Sequence, residues 1–149
     1  MMIDYEGLTK RVLSLTEGED DQVSLMATVV CEVHWADDRF DWTGFYRVVG
    51  QNLLKIGPYQ GAHGCLTIPF SRGVCGAAAR TGEIQLVSDV FDFPEHIACS
   101  ASTQSELVVP VRDKNENLIA VFDIDSNVLN AFDIDDANQI SNLLTKVFS

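Results

Sequence analysis

Three of the four cysteines in this chain lie between residues 65 and 99, each in or beside a glycine-rich or irregular segment. Cysteines that serve only as small apolar side chains are usually buried in regular elements, so Cys65, Cys75 and Cys99 are candidates for thiol chemistry. A thiolate can attack an electrophilic centre, and a second thiol can then close a disulfide with the first. Cys31 lies among valines in a predicted helix and is expected to be a buried apolar side chain.

These thiols could serve as nucleophiles or as metal ligands. Cys75 falls in the first turn of a short predicted helix, where the helix dipole and the free N–H groups favour a thiolate. Metal binding is the alternative, since His63-x-Cys65 and His96-x-x-Cys99 supply two pairs of nitrogen and sulfur ligands. This chain meets the usual zinc spacing, with ligands about two to four residues apart in each pair, only loosely. We therefore predict no metal site.

Carboxylates form a second candidate site. Asp123 and Asp125 end the most apolar predicted strand, and because side chains alternate along a strand they point to the same face. Glu106 opens a neighbouring strand. Such a group is unfavourable unless a cation joins it or some members are protonated, and no Lys or Arg adjoins it in sequence. A ligand ammonium would supply the missing charge; alternatively, the strand ends in solvent and the aspartates are ordinary exposed residues.

Aromatic residues on another predicted strand offer an apolar wall. Trp42, Gly44 and Tyr46 alternate with their neighbours and so share one face of that strand. This face is either sheet core or a surface against which a thioether or another soft group packs.

Length and charge restrict what these residues can serve. The chain has 149 residues, enough for one domain with its own core. Its 10 basic and 22 acidic residues give a net charge of −12, which argues against nucleic acid and anionic membranes as partners. The N-terminal residues show neither a basic segment nor an apolar one, and no apolar run approaches the roughly 18 residues of a membrane span. These features predict a cytoplasmic protein with reduced thiols.

The elements that must position these residues follow from hydrophobic periodicity. We predict N-terminal helices within residues 4–35, a sheet-containing core over 42–126 and a C-terminal helix over 133–148, forming one domain over 1–149. Short turns between neighbouring strands indicate an antiparallel sheet, and the apolar strand 118–124 should be central. The fold class is α+β, with helices packed mainly on one face of the sheet. Residues 90–103 are predicted to form a long ordered loop with about one turn of helix.

The candidate residues lie in segments that together resemble one family, the free methionine-(R)-sulfoxide reductases, which are GAF-domain proteins. The resemblance covers nearly the whole chain from Trp42 to Leu144, and GAF domains that bind cyclic nucleotides or tetrapyrroles do not carry this set together. The segments are Asp41-Trp42-Thr43-Gly44-Phe45-Tyr46, Gly57-Pro58-Tyr59-Gln60-Gly61, Cys65-x-x-Ile68-Pro69, Arg72-Gly73-Val74-Cys75-Gly76, Gln85-Leu86-Val87-Ser88-Asp89-Val90, His96-Ile97-Ala98-Cys99, Ser105-Glu106-Leu107-Val108-Val109-Pro110 and Asp123-Ile124-Asp125-Ser126.

The resemblance implies roles for particular positions. Cys99 would be the nucleophile, Cys65 the resolving thiol, and Cys75 an auxiliary or alternative resolving thiol. The side chains that would line the substrate pocket are Trp42 and Tyr46, at the methyl and thioether end, with Glu106, Asp123 and Asp125.

The implied reaction is the reduction of free methionine-(R)-sulfoxide to methionine. Attack of a thiolate on the sulfoxide sulfur requires a nearby acid for the oxygen, and crowded carboxylates supply one because they raise one another's pKa. The resulting sulfenic acid condenses with a second thiol, and a thioredoxin-type dithiol reduces the disulfide. The resemblance implies no cofactor and a homodimer in which the N-terminal helices pack across a two-fold axis.

A non-catalytic GAF-type sensor is the alternative function. Such a protein binds a small molecule and signals through its helices, and it needs neither three loop cysteines nor the acidic group. Thiol counting before and after addition of methionine sulfoxide separates the two functions, since a sensor loses no thiols.

Overall fold

The computed structural model describes residues 3–97 and 99–149, so Met1, Met2 and Ala98 lie outside the described residues. These described residues form four helices, six strands and one short 3₁₀ turn, Val90–Asp92. The helices are α1 (Tyr5–Leu15), α2 (Gln22–His34), α3 (Gly73–Thr81) and α4 (Ile134–Phe148). The strands are β1 (Trp42–Val48), β2 (Leu53–Gln60), β3 (Thr67–Pro69), β4 (Gln85–Val87), β5 (Ser105–Arg112) and β6 (Leu118–Ser126).

The six strands form one antiparallel sheet in the order β3-β2-β1-β6-β5-β4. Strand β6 lies between β1 and β5, which confirms the prediction that the most apolar strand is central. A strand in this position is covered by helices on both faces, and this explains why its side chains are apolar almost throughout. The polar exceptions, Asp123 and Asp125, therefore require a separate explanation.

Two apolar cores lie on opposite faces of the sheet. The larger one packs α1, α2 and α4 against Phe45 and Phe122, both completely buried, and against Ile124. The smaller one packs α3 against Trp42 and Tyr46 of β1. Three of the four helices thus cover one face, and the predicted α+β class with helices mainly on one side is confirmed. The second face is only partly covered, which leaves room for a pocket beside α3.

Polar residues fix where the helices begin and end. The Asp21 side chain accepts the Ser24 backbone N–H at the start of α2. Asp133 and Asp136 form a reciprocal capping box at the start of α4. Gly82 ends α3 with φ of +71°, a left-handed conformation that glycine adopts without strain.

Cys31 does not occupy the buried position that the sequence suggests. It is a free cysteine on the exposed side of α2. At about 100° per residue, the buried side chains of Val29, Val30 and Val33 define the inward face of the helix, and Cys31 lies on the opposite side. Proximity in sequence to valines therefore misled the prediction.

None of the described helices combines the length and apolar composition needed to cross a membrane.

Candidate functional site

Strand register brings the three predicted carboxylates together on one face of the sheet. Glu106 of β5 lies directly opposite Asp125 of β6. Across the other edge of β6, Asp125 is paired with Trp42 of β1, and Asp123 is paired with Gly44. Side chains directly opposite on antiparallel strands point to the same face, so the acids and the aromatic wall share one surface. This surface is the floor of a pocket beneath α3.

The pocket lies between the sheet, the first turn of α3 and the loop that connects β4 to β5. No Lys or Arg is among the lining residues in the part of the chain that the structure describes. The lining residues are Trp42, Tyr46, His63, Gly64, Ile68, Gly73, Val74, Cys75, His96, Ile97, Cys99, Ser100, Thr103, Glu106, Asp123 and Asp125. All eight residues predicted for the site therefore line the pocket or, in the case of Cys65, are bonded to a residue that does.

The carboxylates are not a solvated strand end. Glu106 is 7% exposed and Asp123 is 4% exposed. One buried oxygen of Asp123 and one of Asp125 have no hydrogen-bond partner among the described residues. Burial, followed by the negative charge of the neighbouring carboxylates, raises the pKa of both aspartates well above the usual range. Buried acids of this kind either hold protons or await a cationic group.

Trp42 forms the aromatic wall and is held on both sides. Its ring is stacked against Tyr46 at 5.8 Å and against Tyr59 at 5.4 Å between centroids. Its indole N–H donates to the Ala62 carbonyl at 2.7 Å. A Cβ at Gly44 would lie 2.6 Å from the Trp42 ring, so the absence of a side chain there allows the ring to lie across the strand. The face is thus both sheet core and pocket wall.

A disulfide lies at the pocket, because one of its two cysteines, Cys99, lines it. Cys65, just before β3, is bonded to Cys99, in the loop before β5, with their Cα atoms 5.3 Å apart. The bond joins segments separated by 34 residues in sequence. It therefore fastens the β4–β5 loop to the segment between β2 and β3.

Cys75 does not have the thiolate character that its helical position suggests. The side chain is buried in the first turn of α3, with its sulfur 4.0 Å from a carboxylate oxygen of Glu106. Burial, together with the charges of Asp123, Glu106 and Asp125, raises the pKa of this thiol well above its usual value. These effects oppose that of the helix N-terminus and favour the thiol over the thiolate at Cys75.

Two sets of residues in the pocket have ligand chemistry. His63, His96 and Cys99 line it, but the disulfide occupies the sulfurs of both Cys65 and Cys99, so the predicted alternative metal pairs are incomplete in this form. A different trio, Cys75, Glu106 and Asp123, places its ligand atoms within 4.8 Å of one another. All three of those side chains are buried.

Several residues that build the site had no predicted role in the sequence analysis. Tyr59 supports Trp42 from β2, and Ile97 and Thr103 line the pocket from the loop. Tyr59 is an aromatic residue in the Gly57-Pro58-Tyr59 segment, on the strand that pairs with β1. Its position beside Trp42 can be predicted only when the β1–β2 register is known. Thr103 is a buried polar residue in a loop, where no hydrophobic periodicity predicts burial.

Comparison with known proteins identifies the fold. Residues 17–147 match the family model described as GAF domain. The chain is 41% identical over 110 residues to Protein YtsP of Bacillus subtilis, an alignment that covers 73% of this chain and 68% of that protein. It is 35% identical over 112 residues to the free methionine-R-sulfoxide reductase of Escherichia coli, covering 75% of this chain and 67% of that enzyme.

Solved structures agree with this relationship. The X-ray structure of the free methionine-R-sulfoxide reductase from Neisseria meningitidis, in complex with its substrate, is 36% identical in sequence and superposes with a TM-score of 0.90. The match covers 96% of this chain and 85% of that one. The family resemblance carried by the sequence segments is confirmed. The chain therefore belongs to the GAF-domain family and is a homologue of its free methionine-R-sulfoxide reductases.

Proposed function

We propose that this protein reduces free methionine-(R)-sulfoxide to methionine with a pair of cysteines as the electron source. The main observation behind this proposal is that Cys99, bonded to Cys65, lines a pocket that also holds three clustered carboxylates. A redox-active bond beside an acid that retains its proton is the combination that sulfoxide reduction requires. The relatives named free methionine-R-sulfoxide reductases support the same assignment.

In the first step, the Cys99 thiolate attacks the sulfoxide sulfur. This attack forms a transient bond between Cys99 Sγ and the sulfoxide sulfur. The oxygen then takes up a proton and moves to Sγ. As its bond to the substrate sulfur and the sulfur–sulfur bond break, Cys99 becomes a sulfenic acid and methionine is released. Asp123 and Asp125 are the candidates for the proton donor, because burial and mutual repulsion raise their pKa. Because these two carboxyls lie close together and interact, the proton is assigned to the pair rather than to a single residue.

In the second step, the Cys65 thiol attacks the sulfenic sulfur of Cys99. A disulfide forms and one water molecule leaves, so two thiols are consumed for each sulfoxide reduced. The observed Cys65–Cys99 bond supports Cys65 as the resolving thiol. Cys75 is less suited to that role because it is buried and its raised pKa keeps it protonated.

Substrate recognition rests on charge. The pocket presents three carboxylates and no Lys or Arg among its described lining residues, which suits a ligand with a free ammonium group. Trp42 and Tyr46 offer an apolar surface to the methyl group and the thioether. A methionine sulfoxide residue within a peptide has no free ammonium group and would leave the buried acids unpaired.

The remaining features of the proposal concern the cellular setting. A thioredoxin-type dithiol would return Cys65 and Cys99 to thiols, and a cytoplasmic location would keep Cys31 and Cys75 reduced. A homodimer formed through α1 and α2 is favoured by the exposed apolar side chains of Leu15, Val23 and Trp35 on or beside those helices.

A turnover assay tests the proposed function. The protein is supplied with thioredoxin, its reductase and NADPH, and then with either the free (R)- or the free (S)-epimer of methionine sulfoxide. We expect methionine to form only from the (R)-epimer, in step with NADPH consumption. Binding without methionine formation would instead indicate a sensor.

A further inference from the structure

Cys75, Glu106 and Asp123 come together at the floor of the pocket. Their ligand atoms lie within 4.8 Å of one another, and the Cys75 sulfur is 4.0 Å from Glu106 Oε2. Asp123 is almost completely buried, and its Oδ1 has no hydrogen-bond partner among the described residues. An unpartnered buried carboxylate oxygen beside a thiol is an incomplete ligand set, because burial of such groups is costly unless a cation compensates them.

We propose that this trio is an inhibitory zinc site, in which Zn²⁺ binds the Cys75 sulfur and the carboxylates of Glu106 and Asp123. Asp125, whose buried Oδ1 also lacks a hydrogen-bond partner in the part of the chain that the structure describes, is the candidate for the fourth ligand. As zinc binds, the Cys75 thiol gives up its proton to solvent, and so does any ligating carboxyl that is protonated. No electron is transferred.

The ligand types select the metal. A thiolate with two or three carboxylate oxygens suits a borderline-soft cation that accepts four ligands, and zinc is of this kind. Zinc binds sulfur at about 2.3 Å and carboxylate oxygen at about 2.0–2.2 Å, so the trio must contract by roughly 1 Å from its present spacing. Magnesium prefers six oxygen ligands in an octahedral arrangement and does not use a thiolate, so it should bind far more weakly.

The consequence for activity rests on the proposed function. Glu106 and Asp123 belong to the group proposed to receive the substrate ammonium, so zinc and substrate would compete for the same carboxylates. Methionine carries the same ammonium group as the sulfoxide. Added methionine should therefore also compete with zinc and lower the apparent affinity of the protein for zinc. Because the site does not use Cys65 or Cys99, zinc should bind even while those two residues are joined in the disulfide.

The test isolates Cys75 as the single free thiol. In the Cys31→Ser protein with the Cys65–Cys99 disulfide intact, Cys75 is the one thiol that remains. Addition of Co²⁺, a spectroscopic substitute for zinc, should give a thiolate-to-cobalt charge-transfer band that Zn²⁺ abolishes and Mg²⁺ does not. Calorimetric titration with Zn²⁺ should show one site per chain, with an apparent affinity that falls as methionine is added.

Matched variants locate the ligands. Cys31→Ser alone should bind Zn²⁺ as the parent does, whereas Cys31→Ser/Cys75→Ser and Cys31→Ser/Asp123→Asn should each bind at least about tenfold more weakly. The proposal is overturned if no charge-transfer band appears, if the Cys75→Ser protein keeps the parent affinity, or if methionine leaves zinc binding unchanged. These measurements are made without turnover, so they can fail while the reductase assay succeeds, and the reverse also holds.

Discussion

Glu106 and Asp125 face each other across the β5–β6 ladder, two acids at directly opposed positions of adjacent antiparallel strands. Like charges in such a pair destabilise a sheet. The pair lies in the pocket beside Asp123 rather than in solvent, so the arrangement adds repulsion to the cost of burial. These acids should therefore lower the stability of the fold, and the reaction proposed for the site explains why they are placed there.

The first prediction concerns the nucleophile. Cys99→Ser should reduce turnover to the uncatalysed background, because a serine hydroxyl is not ionised at neutral pH and cannot attack the sulfoxide sulfur. The measurement is methionine formation with thioredoxin recycling. Cys31→Ser is the control and should retain parental activity, since Cys31 is exposed on α2 and lies outside the pocket. Normal activity in the Cys99 variant would move the nucleophile to Cys65 or Cys75.

The second prediction separates the roles of the acids. Glu106→Gln, Asp123→Asn and Asp125→Asn keep the size of each side chain but remove its acidity. A residue that donates the proton should lose roughly 10²–10⁴-fold in kcat, whereas one that only holds the ammonium should raise KM with kcat unchanged. Both constants are to be measured across pH. If all three variants keep parental constants, the acidic cluster has no part in the reaction.

The third prediction concerns stability. The pKa of Asp123 is higher in the folded chain than in the unfolded chain, so the folded state binds the proton more tightly, and this carboxyl lowers stability increasingly as the pH rises above about 4. Asp123→Asn cannot ionise. Its free energy of unfolding should therefore exceed that of the parent by about 0.5–2 kcal/mol at pH 8, and the gain should vanish near pH 4.

Denaturant unfolding at several pH values, with both proteins in the same redox state, measures this difference. Asp135→Asn is the control, because Asp135 is exposed in the first turn of α4 and its loss removes an equal charge without relieving burial. A gain in Asp123→Asn that does not change with pH would mean that packing, rather than the ionisation of the carboxyl, is responsible.

The fourth prediction concerns specificity. An N-acetylated methionine-(R)-sulfoxide should be a poor substrate, with kcat/KM lower by on the order of 10⁴-fold, because the amide leaves buried carboxylates without their charged partner. Competing the two compounds in one assay measures the ratio directly. A kcat/KM comparable to that of the free amino acid would show that the acids do not recognise the ammonium group.

The sequence was sufficient for features set by local pattern. Alternation along one strand places Asp123 and Asp125 on the same face, and the structure has them there. The central position of β6 was predictable from its nearly continuous apolar composition. The proximity of Glu106 to these aspartates follows from the short turn between β5 and β6, which makes the two strands neighbours.

Features set by tertiary surroundings were not predictable in this way. The position of Cys75 near a helix N-terminus suggests a thiolate, yet burial and three carboxylates from other elements reverse that expectation. Cys31 was misassigned because its neighbours in sequence are apolar, although the helical phase turns it towards solvent. The support of Trp42 by Tyr59 depends on the β1–β2 register, which composition does not reveal.

A single-turnover experiment tests the central claim most directly. Fully reduced protein, freed of external reductant, is mixed with excess free methionine-(R)-sulfoxide, and methionine, free thiols and disulfide-linked peptides are then measured. We expect one methionine to form and two thiols to be lost per chain, with Cys65 and Cys99 joined and Cys31 and Cys75 still reduced. Methionine release without thiol loss, or a disulfide that leaves Cys99 free, would contradict it.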